Sequence, residues 1–270
     1  MRPELFHIGP IPIRSFGLMM ALAFIAAYFV LRGEIKRNRL EKSFADTILI
    51  AALLGGLAGA RIFHIVENFK QFLASPLSFV FTGAGFAWYG GLGGGVLAAG
   101  GVVLKKKQPL SVVADCVAPG LALGYGIGRI GCFLSGDGCY GKPTSGWWGM
   151  AFPYGIVPTK YAVDELTGKR IPIEWVHPTP LYELTVSLLI FALLWKLRKK
   201  ELKSGTIFWL YLALAGCARF LVEFWRRNPI VAIGLTMAQL LSILAIGLGI
   251  FFVFLNLWQE GKVARRQESR

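Results

Sequence analysis

Seven times along this chain an apolar run is long enough to cross a lipid bilayer, and that recurrence restricts the possible folds more than any other feature. The runs fall at about 15–32, 44–65, 85–104, 110–134, 178–196, 205–225 and 233–257. At 1.5 Å of rise per residue, roughly 20 helical residues cover a hydrocarbon core of about 30 Å. Lipid offers no hydrogen bonds, so a spanning run must satisfy its own backbone, which a helix does. Only 16% of the residues are charged, against about a quarter in a soluble domain. The expectation is an all-α integral membrane protein, a single polytopic membrane domain over 1–270 with about seven transmembrane helices.

The net charge of +14 invites a nucleic-acid partner, but its distribution argues for membrane topology instead. Basic residues cluster between the apolar runs: Arg32, Lys36, Arg37, Arg39 and Lys42 after the first, Lys105 to Lys107 after the third, five between Lys196 and Lys203 after the fifth, and Lys262, Arg265, Arg266 and Arg270 after the seventh. These clusters hold 17 of the 29 basic residues, all on one side of a seven-helix count. The positive-inside rule then puts the N-terminus outside and the C-terminus in the cytoplasm, with anionic lipid heads as the contact for the clusters. Met1 to Ser15 lacks the charged start, apolar middle and cleavage site of a signal peptide. Residues 135–176, rich in Gly, Pro, Trp and Tyr, are expected to form a small extracytoplasmic head between helices 4 and 5. Residues 69–81, with Phe72, Leu77, Phe79 and Phe81, read as a short interfacial segment.

Three arginines follow small residues toward the far ends of apolar runs: Gly59-Ala60-Arg61, Gly128-Arg129 and Cys217-Ala218-Arg219. On this topology all three lie in the outer half of the bilayer. An arginine at that depth costs several kcal/mol and marks a binding or catalytic role, unless it snorkels to the interface, as Arg61 is well placed to do. The glycines around Arg129 suit a close-packed cavity wall. Three cations at one depth call for an anion, and in a membrane that anion is a lipid phosphate. Glu223 is spaced to pair with Arg219 along one helix face, with Arg226 on the same side.

Cys116 and Cys217 read as small buried residues, and the four cysteines show no zinc spacing. Cys132 and Cys139 flank a short Gly-rich loop and are placed to form a disulfide if that loop faces an oxidising compartment. His64 and Glu67 lack a third ligand, so no metal and no cofactor is expected. A lipid or small-anion transporter would also use glycine-rich helices and buried arginines, but no pair of inverted halves is visible.

The run Gly128-Arg129-Ile130-Gly131-Cys132-Phe133-Leu134-Ser135-Gly136-Asp137-Gly138-Cys139-Tyr140-Gly141 resembles the signature of the prolipoprotein diacylglyceryl transferase family, Gly-Arg-x-Gly-Asn-Phe-x-Asn-x-Glu-x-x-Gly. His177-Pro178-Thr179-Pro180-Leu181-Tyr182-Glu183 is similar to that family's His-Pro-Ser-Gln-Leu-Tyr-Glu, and Arg219-Phe220-Leu221-Val222-Glu223-Phe224-Trp225-Arg226 to its Arg-Phe-x-x-Glu-Phe-x-Arg. Phe16 to Met19 and Leu235 to Ser242 match further blocks in the same order. Here Cys132 and Ser135 stand for the two asparagines and Asp137 for the glutamate, and one extra residue precedes Gly141. Tyr89, before Gly90 and Gly91, stands where some members carry a functional histidine.

The resemblance implies transfer of a diacylglyceryl group from phosphatidylglycerol to the lipobox cysteine of a prolipoprotein signal peptide, releasing glycerol 1-phosphate, in a bacterial inner membrane with the site toward the extracytoplasmic side. A same-fold transferase with another lipid donor or acceptor is the near alternative. Ionising the acceptor thiol completely gains only about 30-fold, or ~2 kcal/mol, so expelling the phosphate is the larger barrier. Arginine stays charged when buried and holds two phosphate oxygens in its fork. The resemblance therefore casts Arg129 on the donor phosphate, Arg219 on the leaving oxygen or incoming thiolate, and Tyr89 as a hydrogen-bond donor to the headgroup. Arg61, Gly90, Gly91, Cys132, Asp137, Gly141, Glu223 and Arg226 complete the implied substrate site. Asp137 is expected to orient Arg129 or meet glycerol hydroxyls, and Glu183 to pair with a basic partner.

Overall fold

The structure, a computed structural model, describes residues 2–9, 11–41, 43–75, 87–159, 161–163, 170–172 and 174–268. Helices dominate them: α1 (Ser15–Arg37), α2 (Ser43–Glu67), α3 (Phe69–Ala74), α4 (Trp88–Lys105), α5 (Leu110–Ser135), α6 (Thr179–Leu197), α7 (Thr206–Glu223) and α8 (Met237–Glu268). Three two-stranded antiparallel ribbons join them: β1 (Glu4–Ile8) with β2 (Ile11–Arg14), β3 (Tyr161–Val163) with β4 (Arg170–Pro172), and β5 (Ile230–Ala232) with β6 (Leu235–Thr236).

Among the described residues, six helices are long and apolar enough to cross a membrane, namely α1, α2, α5, α6, α7 and α8 as far as Lys262. The run expected at 85–104 forms α4, whose 18 residues include seven glycines that dilute its hydropathy. Large apolar side chains lie outward, Leu97 at 77% and Phe254 at 70% exposure, while Glu34, Glu183 and Glu223 are buried. A chain dissolved in lipid shows this arrangement, because burying Leu against Leu gains nothing there and polar groups must find each other. The protein is a multi-pass membrane protein.

The last apolar run, expected from about 233, becomes helical only at Met237. Residues 230–236 instead form the β5–β6 ribbon, turned by Ile233 at φ 53° and Gly234 at φ 73°. A left-handed pair closes a two-residue hairpin, and the helix begins where Thr236 Oγ1 accepts the amide of Gln239. The segment expected to lie in the headgroup zone begins with α3; Leu77, Phe79 and Phe81 fall outside the described residues.

The chain divides into two compact units, one of residues 31–116 and the other of 1–30 with 117–270. In the smaller unit α2 packs on α4 through facing glycines. A Cβ on Gly59 would overlap Gly90 O, and one on Gly94 would overlap Gly55 O, so only glycine permits this approach. Glu34, fully buried, is held by Arg37 at 2.7 Å.

In the larger unit α5 lies against α1 and α6. A Cβ on Gly120 would stand 3.1 Å from Ala27 O, and Ser187 Oγ donates to Ala122 O at 2.6 Å. Ala118, Ala122, Ile190, Leu194 and Ile207 form its apolar core. α7 meets α8 where Trp209 stacks on Phe252 at 4.2 Å and Asn256 donates to Thr206 Oγ1. Between α5 and α6 an irregular head closes over Tyr140, Phe152 and Val176, with Tyr140 stacked on Phe152.

Candidate functional site

Arg129 occupies the last two turns of α5 and projects toward α6, where Glu183 begins the second turn. Its Nε lies 3.1 Å from Glu183 Oε2, and its Nη2 donates to Tyr125 Oη at 2.8 Å. Tyr125 is four residues earlier on the same face and donates in turn to Glu183 Oε1 at 3.0 Å. From α7, Arg219 Nη1 reaches Glu183 Oε1 at 2.6 Å while Nη2 pairs with Glu223 at 3.0 Å. Arg226, just past α7, donates to Glu183 Oε2 at 3.1 Å. Glu223 also accepts from Asn228 Nδ2 and Thr236 Oγ1.

Glu183 is thus the hub: one carboxylate met by three guanidiniums and a phenol. The side chains of Glu183 and Glu223 are 3% and 0% exposed, those of Arg129 and Arg219 17% and 26%. The carboxylates form a sealed floor and the guanidiniums an accessible rim. Three cations against two anions leave the cluster at +1, a charge that one monoanionic ligand would neutralise.

The predicted pairing of Glu223 with Arg219 is present, as is a basic partnership for Glu183. The carboxylate that orients Arg129 is Glu183 and not Asp137, because the α5–α6 contact brings Glu183 to the guanidinium. Asp137 Oδ1 instead accepts the Cys139 amide at 3.0 Å. Cys132 and Cys139 are free thiols, each 3.8 Å from Arg129 Nη1. The Cys132 thiol, hydrogen-bonded to Cys139, pulls the Cys139 thiol down to about 7.

Gly141 is where the head crosses the end of α7. Its amide donates to His177 O at 2.8 Å, Lys142 N donates to Trp225 O at 2.7 Å, and a Cβ on Gly141 would overlap that same oxygen. Arg227 Nε donates back to Gly141 O at 2.8 Å. The glycine therefore fixes Arg226 through the backbone. His177 Nδ1 lies 3.1 Å from Tyr182 Oη, and desolvation lowers its pKa.

Arg61, Tyr89, Gly90 and Gly91 belong to the smaller unit, at one end of the α2–α4 pair, where Ala87 N donates to Ala60 O. Tyr89 is 47% exposed. Gly90 is pressed against Gly59 and Phe63, which gives it a packing role whatever it binds.

Sequence reasoning passed over Tyr125. Its signal was the i,i+4 spacing to Arg129 on an α-helix. It also passed over the convergence of Cys132, Asp137 and Cys139, whose ligand atoms all lie within 4.8 Å of one another.

A family model described as prolipoprotein diacylglyceryl transferase matches residues 3–255. The chain is 34% identical to a phosphatidylglycerol--prolipoprotein diacylglyceryl transferase of Clostridium tetani, over 93% of this chain and 96% of the relative. It is 36% identical to the protein of that description from Geobacter sulfurreducens, over 89% of each. The counterpart from Nostoc is 31% identical, over 92% of this chain and 87% of its own length.

Proposed function

The chain belongs to the prolipoprotein diacylglyceryl transferase family, and from that premise we propose that its arginine cluster drives diacylglyceryl transfer from phosphatidylglycerol to a prolipoprotein cysteine. The acceptor thiolate attacks the glyceryl carbon and forms a thioether. The bond between that carbon and the phosphate ester oxygen breaks, and glycerol 1-phosphate leaves with the electron pair.

The observation that carries this reading is the +1 cluster with a buried anionic floor. Arg129, pinned by Glu183 and Tyr125 on one edge, holds the donor phosphate. Arg219, fixed between Glu183 and Glu223, neutralises the charge that grows on the leaving oxygen. Such preorganised charge is worth most in a dry site, because nothing reorients as the reaction proceeds. Arg226 holds Glu183 in place from the end of α7. The implied contributions of Tyr89, Arg61, Gly90, Gly91, Cys132, Asp137 and Gly141 to the substrate site belong to the same proposal.

On this reading the protein resides in a bacterial inner membrane with seven crossings, α4 included, and the site faces the extracytoplasmic side. Residues 135–176 form an extracytoplasmic head on one polytopic domain. The charge clusters after alternate helices support that orientation.

The test is a mass or thin-layer assay of purified protein with phosphatidylglycerol and a lipobox peptide. Thioether formation with stoichiometric glycerol phosphate, and no vectorial lipid movement across liposomes, is the expected result. Arg129→Ala should abolish transfer, a loss of about a thousandfold or more, while the protein stays folded. Near-parental activity in that variant would remove the central role from Arg129.

A further inference from the structure

α5 ends at Ser135, and the chain turns back through Gly136 at φ 58° and Gly138 at φ 85°. That turn brings two thiols and a carboxylate together. Cys132 Sγ, an Asp137 carboxylate oxygen and Cys139 Sγ lie within 4.8 Å of one another. Ligands of a tetrahedral zinc ion, with metal–sulfur bonds of about 2.3 Å, stand roughly 3.6–3.8 Å apart. About an ångström of closure would therefore complete a three-ligand site. Asp137 Oδ1 is already oriented by the Cys139 amide, and an ionised carboxylate keeps further lone pairs for a metal.

Arg129 Nη1, 3.8 Å from each sulfur, at first argues against a cation here. The charge count reverses that. A divalent ion with two thiolates and one carboxylate carries a net charge of −1, so the occupied site would attract the guanidinium rather than repel it. Hydrogen bonds to ligand sulfurs are a common outer-shell feature of such sites.

We propose that Cys132, Asp137 and Cys139 bind a zinc-class divalent ion whose open fourth position takes the acceptor cysteine sulfur. Resting on the reading that the acceptor is a thiol, this deepens the proposed function. Three protein ligands with one open position are the pattern of catalytic rather than structural zinc. A thiol that coordinates zinc is deprotonated outright. Its proton passes to solvent, its sulfur forms the bond to the glyceryl carbon, and the electrons of the broken carbon–oxygen bond leave on glycerol phosphate. The ion would hold the nucleophile beside Arg129, so one arginine would face both the attacking sulfur's site and the donor phosphate.

The test uses full-length protein in detergent under reducing conditions, stripped with a chelator and titrated with Co²⁺. One ion per chain is expected, with thiolate-to-cobalt charge-transfer absorption and tetrahedral d–d bands that Zn²⁺ bleaches. Cys132→Ser and Cys139→Ser should each lose the charge-transfer band while melting cooperatively. A lipobox peptide should perturb the d–d bands, and its serine counterpart should not. Absence of stoichiometric binding, or a band that survives both substitutions, overturns the site; so does a Cys132–Cys139 disulfide recovered from the native membrane. A band indifferent to the cysteine peptide overturns the thiol-holding role. Failure of the functional reading is separately visible, because a protein that lipidates no peptide would still report its ion by this spectrum.

Discussion

With 3% of its side chain exposed and three guanidiniums around it, Glu183 is the residue whose loss should be felt most widely. Removing one member of a buried ionic cluster leaves the others uncompensated, at a cost of about 3–5 kcal/mol. Glu183→Ala should therefore lower the thermal midpoint in detergent and lose transfer together; a variant that melts like the parent would show the cluster dispensable for stability. Tyr125→Phe separates positioning from charge. It removes one hydroxyl from Arg129 and Glu183, a loss of about 0.5–1.5 kcal/mol. That predicts a fall of about twofold to thirteenfold in kcat/KM with folding intact, and an unchanged rate would sink the positioning role. Arg129 and Arg219 were legible in the sequence because a charge inside an apolar run declares itself. The position of Glu183 at the centre was not, since its partners are 36 to 58 residues away and helical periodicity carries no record of which helices meet.

Among the elements, the α2–α4 pair depends most directly on single residues. Gly59 and Gly94 approach the opposing backbone too closely to admit any Cβ, and backbone cannot swing aside as a flexible side chain can. Gly59→Leu should destabilise the protein by about 1–3 kcal/mol or more, read as a lower midpoint of thermal unfolding. Gly93→Ala, where a Cβ would meet nothing within 4 Å, serves as the control. Equal midpoints for the two variants would show that the helices pack otherwise. Hydropathy located all of the long helices, because twenty apolar residues have few alternatives in lipid. It misplaced the start of α8 by a few residues, because Ile233 opens an apolar run and only the Ile233-Gly234 turn reveals the ribbon. The glycines of α4 were legible as a packing signal, but not their partners on α2.

For the molecule as a whole, the distribution of charge and the distribution of burial make one argument. Apolar side chains face outward along six helices, so the bilayer fixes the depth of the chain. On the proposed reading the basic clusters set its direction, because lysine and arginine are retained on the cytoplasmic side. The spanning helices were legible before any coordinates, being a property of composition along the chain rather than of contacts. If the direction is as proposed, the head lies outside and the end of α8 inside. Trp147, 91% exposed in the head, and Lys262 near the cytoplasmic end are then opposite probes. In right-side-out spheroplasts, a membrane-impermeant maleimide should label Trp147→Cys above the parent's background and leave Lys262→Cys at that background. Lysis should raise Lys262→Cys to the same level. The reverse pattern would invert the protein in the membrane and place the arginine rim on the cytoplasmic side, away from a precursor presented at the outer face.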